Sequence, residues 1–112
     1  MLDPAVLLNG CLHWVTYLGN QSERHVTILS FNVAKEEINV IELSHLSKEE
    51  RFFDLLVLGE RLCVVVDHAS YCDIAIWVMK EYGVHSSWAK EYVFILEFAV
   101  LFGRGIMRGY KL

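Results

Sequence analysis

Apolar and polar residues alternate with a period of two along most of the chain, in runs rich in β-branched and aromatic residues that end at Gly, Asn, Asp, Ser or charged positions. Successive side chains of a strand point to opposite faces, so this alternation predicts strands packed on one face of a sheet. Strands are expected near Val6–Leu8, Leu12–Tyr17, His25–Phe31, Ile38–Leu43, Phe52–Leu58, Leu62–Val66, Cys72–Met79, Lys90–Phe98 and, frayed, Gly105–Leu112. Ser47-Lys48-Glu49-Glu50 has the form of a helix capping box. The apolar run from Phe52 to Leu58 leaves no polar face for a helix, so at most one helical turn is expected at Ser47–Arg51, followed by a strand buried on both faces. Loops are short and Pro4 is the sole proline, so residues 1–112 contain no linker and read as one domain or part of one.

The pattern also repeats. Val6-Leu7-Leu8-Asn9-Gly10-Cys11-Leu12-His13-Trp14-Val15 and Leu56-Val57-Leu58-Gly59-Glu60-Arg61-Leu62-Cys63-Val64-Val65 share an apolar strand, a glycine turn, a leucine and a second apolar strand. A third strand with an aromatic near its end follows each, Ile28-Leu29-Ser30-Phe31 and Ile74-Ala75-Ile76-Trp77. Gly10 and Gly59 lie about fifty residues apart, the period of kelch-like, four-stranded propeller blades. The expected fold is therefore all-β, antiparallel blades of a partial, kelch-like β-propeller. One blade cannot bury both faces alone and a ring needs about four blades, so two blades imply an incomplete assembly, open to self-association.

Composition sharpens that picture. The hydrophobic share is 54% against a usual apolar share of about 45–50%, an excess that must face another domain, another chain or further blades. A net charge of −4 offers no basic field for a phosphate backbone, which excludes nucleic acid as a first reading. Arg104, Arg108 and Lys111 sit beside Phe102, Ile106 and Tyr110 as the outward positions of a hairpin. Residues Pro4 to Ser22 lack charge, but Asn9, Gly10, His13, Thr16, Gly19 and Asn20 interrupt the apolar run that a membrane span needs. The opening Met-Leu-Asp-Pro carries an acid where a secretory signal has a basic region. Cys11, Cys63 and Cys72 are odd in number and unpaired in spacing, which suits reduced thiols in the cytoplasm or nucleus. Asn20-Gln21-Ser22 would matter as a glycan acceptor only in a secreted protein.

Candidate chemistry is sparse. Cys11 and His13 share a strand face, and Cys63, His68 and Cys72 surround a turn, but their spacing is not that of a zinc site. A packed histidine with a backbone hydrogen bond accounts better for His13. Nothing marks a nucleophile with its base, and Glu36-Glu37 and Glu49-Glu50 read as solvated turn residues. No glycine cluster opens a helix after a strand, so no nucleotide cofactor is implied. Trp14 and Trp77, at repeat-related positions in apolar strands, read as core between blades. Trp88 is placed to pin its loop through ring and indole N–H, and Gly83 to supply a positive φ to the turn before it.

Three stretches together resemble the F-box-associated domain of plant ubiquitin-ligase adaptors. Asn9-Gly10-Cys11-Leu12-His13-Trp14 is similar to the family's opening motif, and Leu58-Gly59-Glu60-Arg61-Leu62-Cys63 to its second. The long run from Ile76 through Trp77, Met79, Lys80, Gly83 and Trp88 to Lys90 resembles its most recognisable segment. The likeness covers residues 6–92, departing at Ala89 and after Tyr92. It implies a protein-interaction domain rather than an enzyme, without cofactor. Its partner would be a protein substrate recruited to an SCF-type E3 ubiquitin ligase. It also implies contact with the Skp-family adaptor only through an F-box, which is not visible in these residues. The alternatives are a kelch-like secreted sugar-binding or enzyme fragment and a truncated inactive product. Recognition would fall on loops and blade edges, with Gly19–Arg24, Ser44–Glu50 and Asp67–Tyr71 as candidates by position.

Overall fold

The computed structural model describes residues 5–19, 25–47, 49–68, 73–99 and 104–111, and their side chains except those of 18, 25, 96–99 and 104–110. Among the described residues nine strands form two antiparallel sheets. The first contains β1 (Val6–Leu8), β2 (Cys11–Leu18), β3 (His25–Asn32) and β4 (Glu37–Glu42) in sequential order. The second contains β5 (Glu50–Leu58), β6 (Arg61–His68), β7 (Asp73–Met79), β8 (Trp88–Ala99) and β9 (Arg104–Lys111), also in order. The run after Tyr92 thus prolongs β8, and β9 pairs along it. Both sheets are partial-propeller blades, the second with an extra outer strand.

Each blade opens with a two-residue hairpin whose central residues both have positive φ, Asn9 and Gly10 at 52° and 70°, Gly59 and Glu60 at 55° and 61°. Such turns twist in the sense that the flanking strands require. They set the register: Leu8 faces Cys11 in one blade and Leu58 faces Arg61 in the other. Counting from these turns, His13 corresponds to Cys63, Trp14 to Val64, Leu29 to Trp77 and Phe31 to Met79. Trp14 and Trp77 are therefore not repeat-related. The one lies on a second strand, the other on a third, and each is half-buried.

The blades stack face to face. Leu8, Ile28 and Ile41 from the first meet Leu55, Leu62, Val64, Val66 and Met79 from the second in one core. Each such side chain fully removed from water contributes about 1.5–3 kcal/mol. The strand buried on both faces is β6, from Leu62 to Val66, and not β5. β5 is an edge strand, and a bulge between Phe52 and Asp54 turns Phe53 out to solvent. The radius of gyration is 15.7 Å, against roughly 13 Å for a compact domain of this length, because the molecule is elongated, with principal extents of 57 × 35 × 29 Å.

Candidate functional site

The polar chemistry of the molecule gathers along the seam between the blades, where the turn after β7 and the segment joining β4 to β5 come together. The turn is tied internally. Ser87 Oγ–H is within reach of the Glu81 and Val84 carbonyls at 2.9 and 2.7 Å and accepts from the Glu81 N–H at 3.0 Å. The Met79 sulfur accepts the Gly83 N–H at 3.2 Å, and Gly83 has φ +79°. A short 3₁₀ turn over His85–Ser87 leads into Trp88.

Held this way, the turn projects Tyr82 across the seam onto the first blade. Its hydroxyl lies 2.5 Å from His13 Nε2 and 3.1 Å from Ser30 Oγ. His13 Nδ1 is 3.1 Å from the Val6 carbonyl, which can only accept. The proton therefore sits on Nδ1, the Tyr82 hydroxyl donates to Nε2, and Ser30 donates to the Tyr82 oxygen. Burial pulls the His13 pKa below its ordinary value, partly offset by backbone contacts at Val6 and Cys11, so the ring is held neutral. Burial likewise raises the Tyr82 pKa, keeping the proton on the phenol.

At the other end of the seam Glu50 is a buried carboxylate. Trp77 Nε1–H donates to it at 3.0 Å, the Ser47 N–H at 3.3 Å, and Lys90 Nζ lies 3.5 Å away. Burial alone would raise its pKa, but those hydrogen bonds and Lys90 hold it below the ordinary carboxyl value. Its assignment as a solvated turn residue is thus corrected: Glu50 starts a strand, and alternation turns it inward while Glu49 stays outside, 3.0 Å from His68. Glu36 and Glu37 are exposed. His45 stacks on Trp88 at 5.1 Å between ring centres and meets Trp77 edge-on at 4.5 Å. Burial, with the nearby His85, pushes its pKa down to about 4, Glu50 offsetting part. Trp88 pins the joining segment through its ring alone, since its indole N–H has no partner.

Within the candidate stretch Ser44–Glu50, His45 and Glu50 pack at the seam while Ser44, Ser47 and Glu49 are exposed, Ser44 Oγ lying 3.0 Å from His85 Nε2. Of the other candidate loops, 20–24 and 69–72 lie outside the described residues; Asp67 pairs with Arg51 at 2.9 Å. The quoted site residues fall into two groups. Trp77, Met79, Gly83, Trp88 and Lys90 act at the seam, Lys90 also lying over the Trp77 ring at 5.3 Å. His13 and Leu62 meet them there, while Gly10 and Gly59 serve the hairpins, Leu12 and Trp14 line the outward face of the first blade, and Lys80 lies 3.7 Å from Glu91 outside the seam. Tyr82, Ser87 and His45 were not singled out from sequence, and Glu50 only as a solvated residue; the unusual length of the motif around Tyr82 was the available signal. Among the described residues no three His, Cys, Asp or Glu side chains are grouped to hold a metal ion, and no helix is long and apolar enough to cross a membrane.

The motif that carries the resemblance is therefore the device that joins one blade to the next. The family model for the F-box associated beta propeller domain matches residues 2–105, beyond the 6–92 read from motifs. The chain belongs to this family. It is 41% identical over 90 residues to F-box protein At3g07870 of Arabidopsis thaliana, covering 77% of this chain and 20% of that protein. It is 28% identical over 87 residues to F-box protein At4g22390 of the same plant, covering 78% and 21% respectively. The chain thus spans about a fifth of the length of these curated relatives. No solved structure matches.

Proposed function

We propose that this F-box-associated domain is a non-catalytic binding module that recruits protein substrates to an SCF-type ubiquitin ligase in the cytoplasm or nucleus. The 41% identity to an F-box protein carries the reading. The seam supports it, because Tyr82 bonds His13 of the first blade and Trp77 bonds Glu50 within the second. A reacting group needs a free base or nucleophile facing a substrate, and these four have structural partners instead. Contact with the Skp-family adaptor belongs to an F-box, so the 112 residues are expected not to capture the adaptor unaided.

The test is co-purification with the Skp-family adaptor, with and without an F-box segment joined in front of the chain. The fusion is also assayed for enrichment of ubiquitinated proteins when the proteasome is inhibited. The reading expects adaptor capture by the fusion alone, and ubiquitinated proteins that disappear when Tyr82→Phe and Trp88→Ala loosen the seam. Capture of the adaptor by the bare chain would overturn the division of labour. A fusion that carries adaptor but enriches no ubiquitinated protein would overturn recruitment.

A further inference from the structure

The edges of the two sheets differ in how they are protected. Among the described residues there are four edge strands, β1, β4, β5 and β9. A free edge offers unpaired N–H and C=O groups to another strand, and proteins blunt it by keeping it short, bulging it or placing basic residues along it. β1 has three residues, β5 carries the bulge between Phe52 and Asp54, and the sequence of β9 includes Arg104, Arg108 and Lys111. β4 has none of these devices. It runs six residues from Glu37 to Glu42 in unbroken register with β3, without Lys, Arg or Pro, and leaves Ile38 63% and Val40 55% exposed. Its charges are the two carboxylates at its ends.

We propose that the outer edge of β4 is a docking site for an extended segment of a partner protein, which adds to the first blade as a further strand and carries a lysine or arginine. The second blade shows that a fourth strand takes such an addition. There β8 corresponds to β4, Trp88 pairing with Met79 as Ile38 pairs with Phe31, and β9 lies antiparallel along β8 from Tyr92, the counterpart of Ile41, to Ala99. The edge of β4 is shaped for an occupant. A hollow of about 210 Å³ is lined by Val40, Ile41 and Glu42 in succession and, from the other blade, by Met79, Gly83 and His85. Successive strand residues point to opposite faces, so a hollow that touches three in a row runs along the backbone edge and not over either face. Charge selects the occupant. Residues 36–42 include Glu36, Glu37 and Glu42 and no Lys or Arg, while Ile41 and Met79 form an apolar floor. A side chain with an aliphatic stem for that floor and a cationic tip for Glu42 is lysine or arginine. Backbone pairing supplies the affinity and that side chain the specificity. The proposal rests on the recruitment reading for what the partner is, a ligase substrate, but the docking itself is a property of this chain.

The probe is a synthetic peptide as long as β4, six residues of alternating valine and threonine with a lysine in place of the central threonine. It is titrated into the isotopically labelled chain and followed by amide NMR shifts. Shifts are expected at residues 38–42 and 83–85. Replacing the peptide's lysine by glutamate should weaken binding about tenfold, and methylating its amide nitrogens should weaken it at least as much, by removing the donors that pair with the edge. Glu42 is exposed, and Glu42→Lys should reverse the preference, so that the glutamate peptide binds more tightly; that gain also shows the variant to be folded. No shifts at millimolar peptide, shifts that map elsewhere, equal affinity for both peptides or indifference to methylation would each overturn the proposal. Shifts along β4 that grow with chain concentration in the absence of peptide would overturn it as well, by giving the edge to a second copy. In the F-box fusion, Glu42→Lys should retain the Skp-family adaptor and lose the ubiquitinated proteins. Unchanged recruitment by that variant would overturn β4 as the recruiting edge and leave the recruitment reading standing. A fusion that recruits nothing even unsubstituted would remove that reading, while the peptide titration still decides the docking.

Discussion

The two blades share a hairpin geometry and a register but differ in what they bury at equivalent places. Where the first blade has His13 and Ser30, the second has Cys63 and Val78. The polar pair lies inside the internal seam, satisfied by Tyr82 from the opposite blade. Two apolar faces slide on one another with little penalty, whereas a buried hydrogen-bonded chain permits one alignment, because any other leaves donors and acceptors unpaired. Hydrophobic burial holds the blades together, and the Ser30–Tyr82–His13–Val6 chain selects their relative position. The difference teaches that the two units are not interchangeable: each carries its own chemistry on a common backbone.

The largest test of that comparison pairs two repeat-equivalent residues, Trp88 and Ile38. Trp88 is buried against His45 and the core, and Ile38 stands on the outward face. Trp88→Ala should cost about 3–5 kcal/mol, the usual range for a buried tryptophan. Ile38→Ala should cost less than about 0.5 kcal/mol, as at most surface sites. Urea unfolding of the two variants measures both, and equal costs would mean that the seam does not distinguish the blades.

Much of this was legible in the sequence, because alternation locates strands and glycine turns locate hairpins regardless of what packs on them. The errors have a common physical cause. Trp14 and Trp77 look equivalent as aromatics in apolar strands, but Trp14 lies on the second strand of its blade and Trp77 on the third of the other, and counting from the paired positive-φ turn residues matches Trp14 to Val64 and Trp77 to Leu29. Glu49-Glu50 reads as a solvated pair until the strand start is fixed between them, which sends one carboxylate inward. The continuous apolar run of β5 suggests double burial, yet burial depends on neighbours, and β5 is an edge. Sequence specifies a strand's two faces locally; which face is covered is a property of the other blade.

A narrower break targets the hydrogen-bond chain. Tyr82→Phe keeps the ring and removes the hydroxyl, leaving His13 Nε2 without its donor and Ser30 without its acceptor. A cost of about 1–3 kcal/mol follows from stranding buried polar groups. Combining it with His13→Leu should recover part of that loss, since removing both partners leaves less unsatisfied. Strictly additive losses in the double variant would show that the two groups do not interact.

Acid should loosen the same seam. His45 has an unfolded-state value of 6.5 and a folded value of about 4, so between those values the unfolded chain binds more protons. Stability therefore rises with pH in that window and is lost as pH falls from about 6.5 towards 4. His13 is also depressed, and Glu50, whose folded pKa lies below 4.5, adds a loss of the same sign at lower pH. His45→Phe retains the stack on Trp88 without titrating. Denaturant midpoints between pH 7 and 4.5 should flatten in that variant, and an unchanged slope would remove His45 from the account.

The smallest effect exchanges the turns themselves. Asn9-Gly10 and Gly59-Glu60 adopt nearly the same pair of positive φ angles, yet Asn and Gly tolerate that region and Glu does not. A left-handed conformation costs an ordinary residue roughly 1–2 kcal/mol, partly offset at Glu60 because it has less backbone freedom to lose than glycine. Neither Gly10 nor Gly59 has a neighbour within 4 Å of an added Cβ, so the effect is conformational and not steric. Replacing Gly59-Glu60 by Asn-Gly through Gly59→Asn and Glu60→Gly should stabilise the second blade by about 0.5–1 kcal/mol. The reverse exchange in the first blade, Asn9→Gly with Gly10→Glu, should destabilise it by a similar amount. Urea midpoints should shift in opposite directions with unchanged m-values. If both exchanges lower the midpoint, each turn is matched to its own blade, and the equivalence of the two hairpins extends to backbone shape but not to energy.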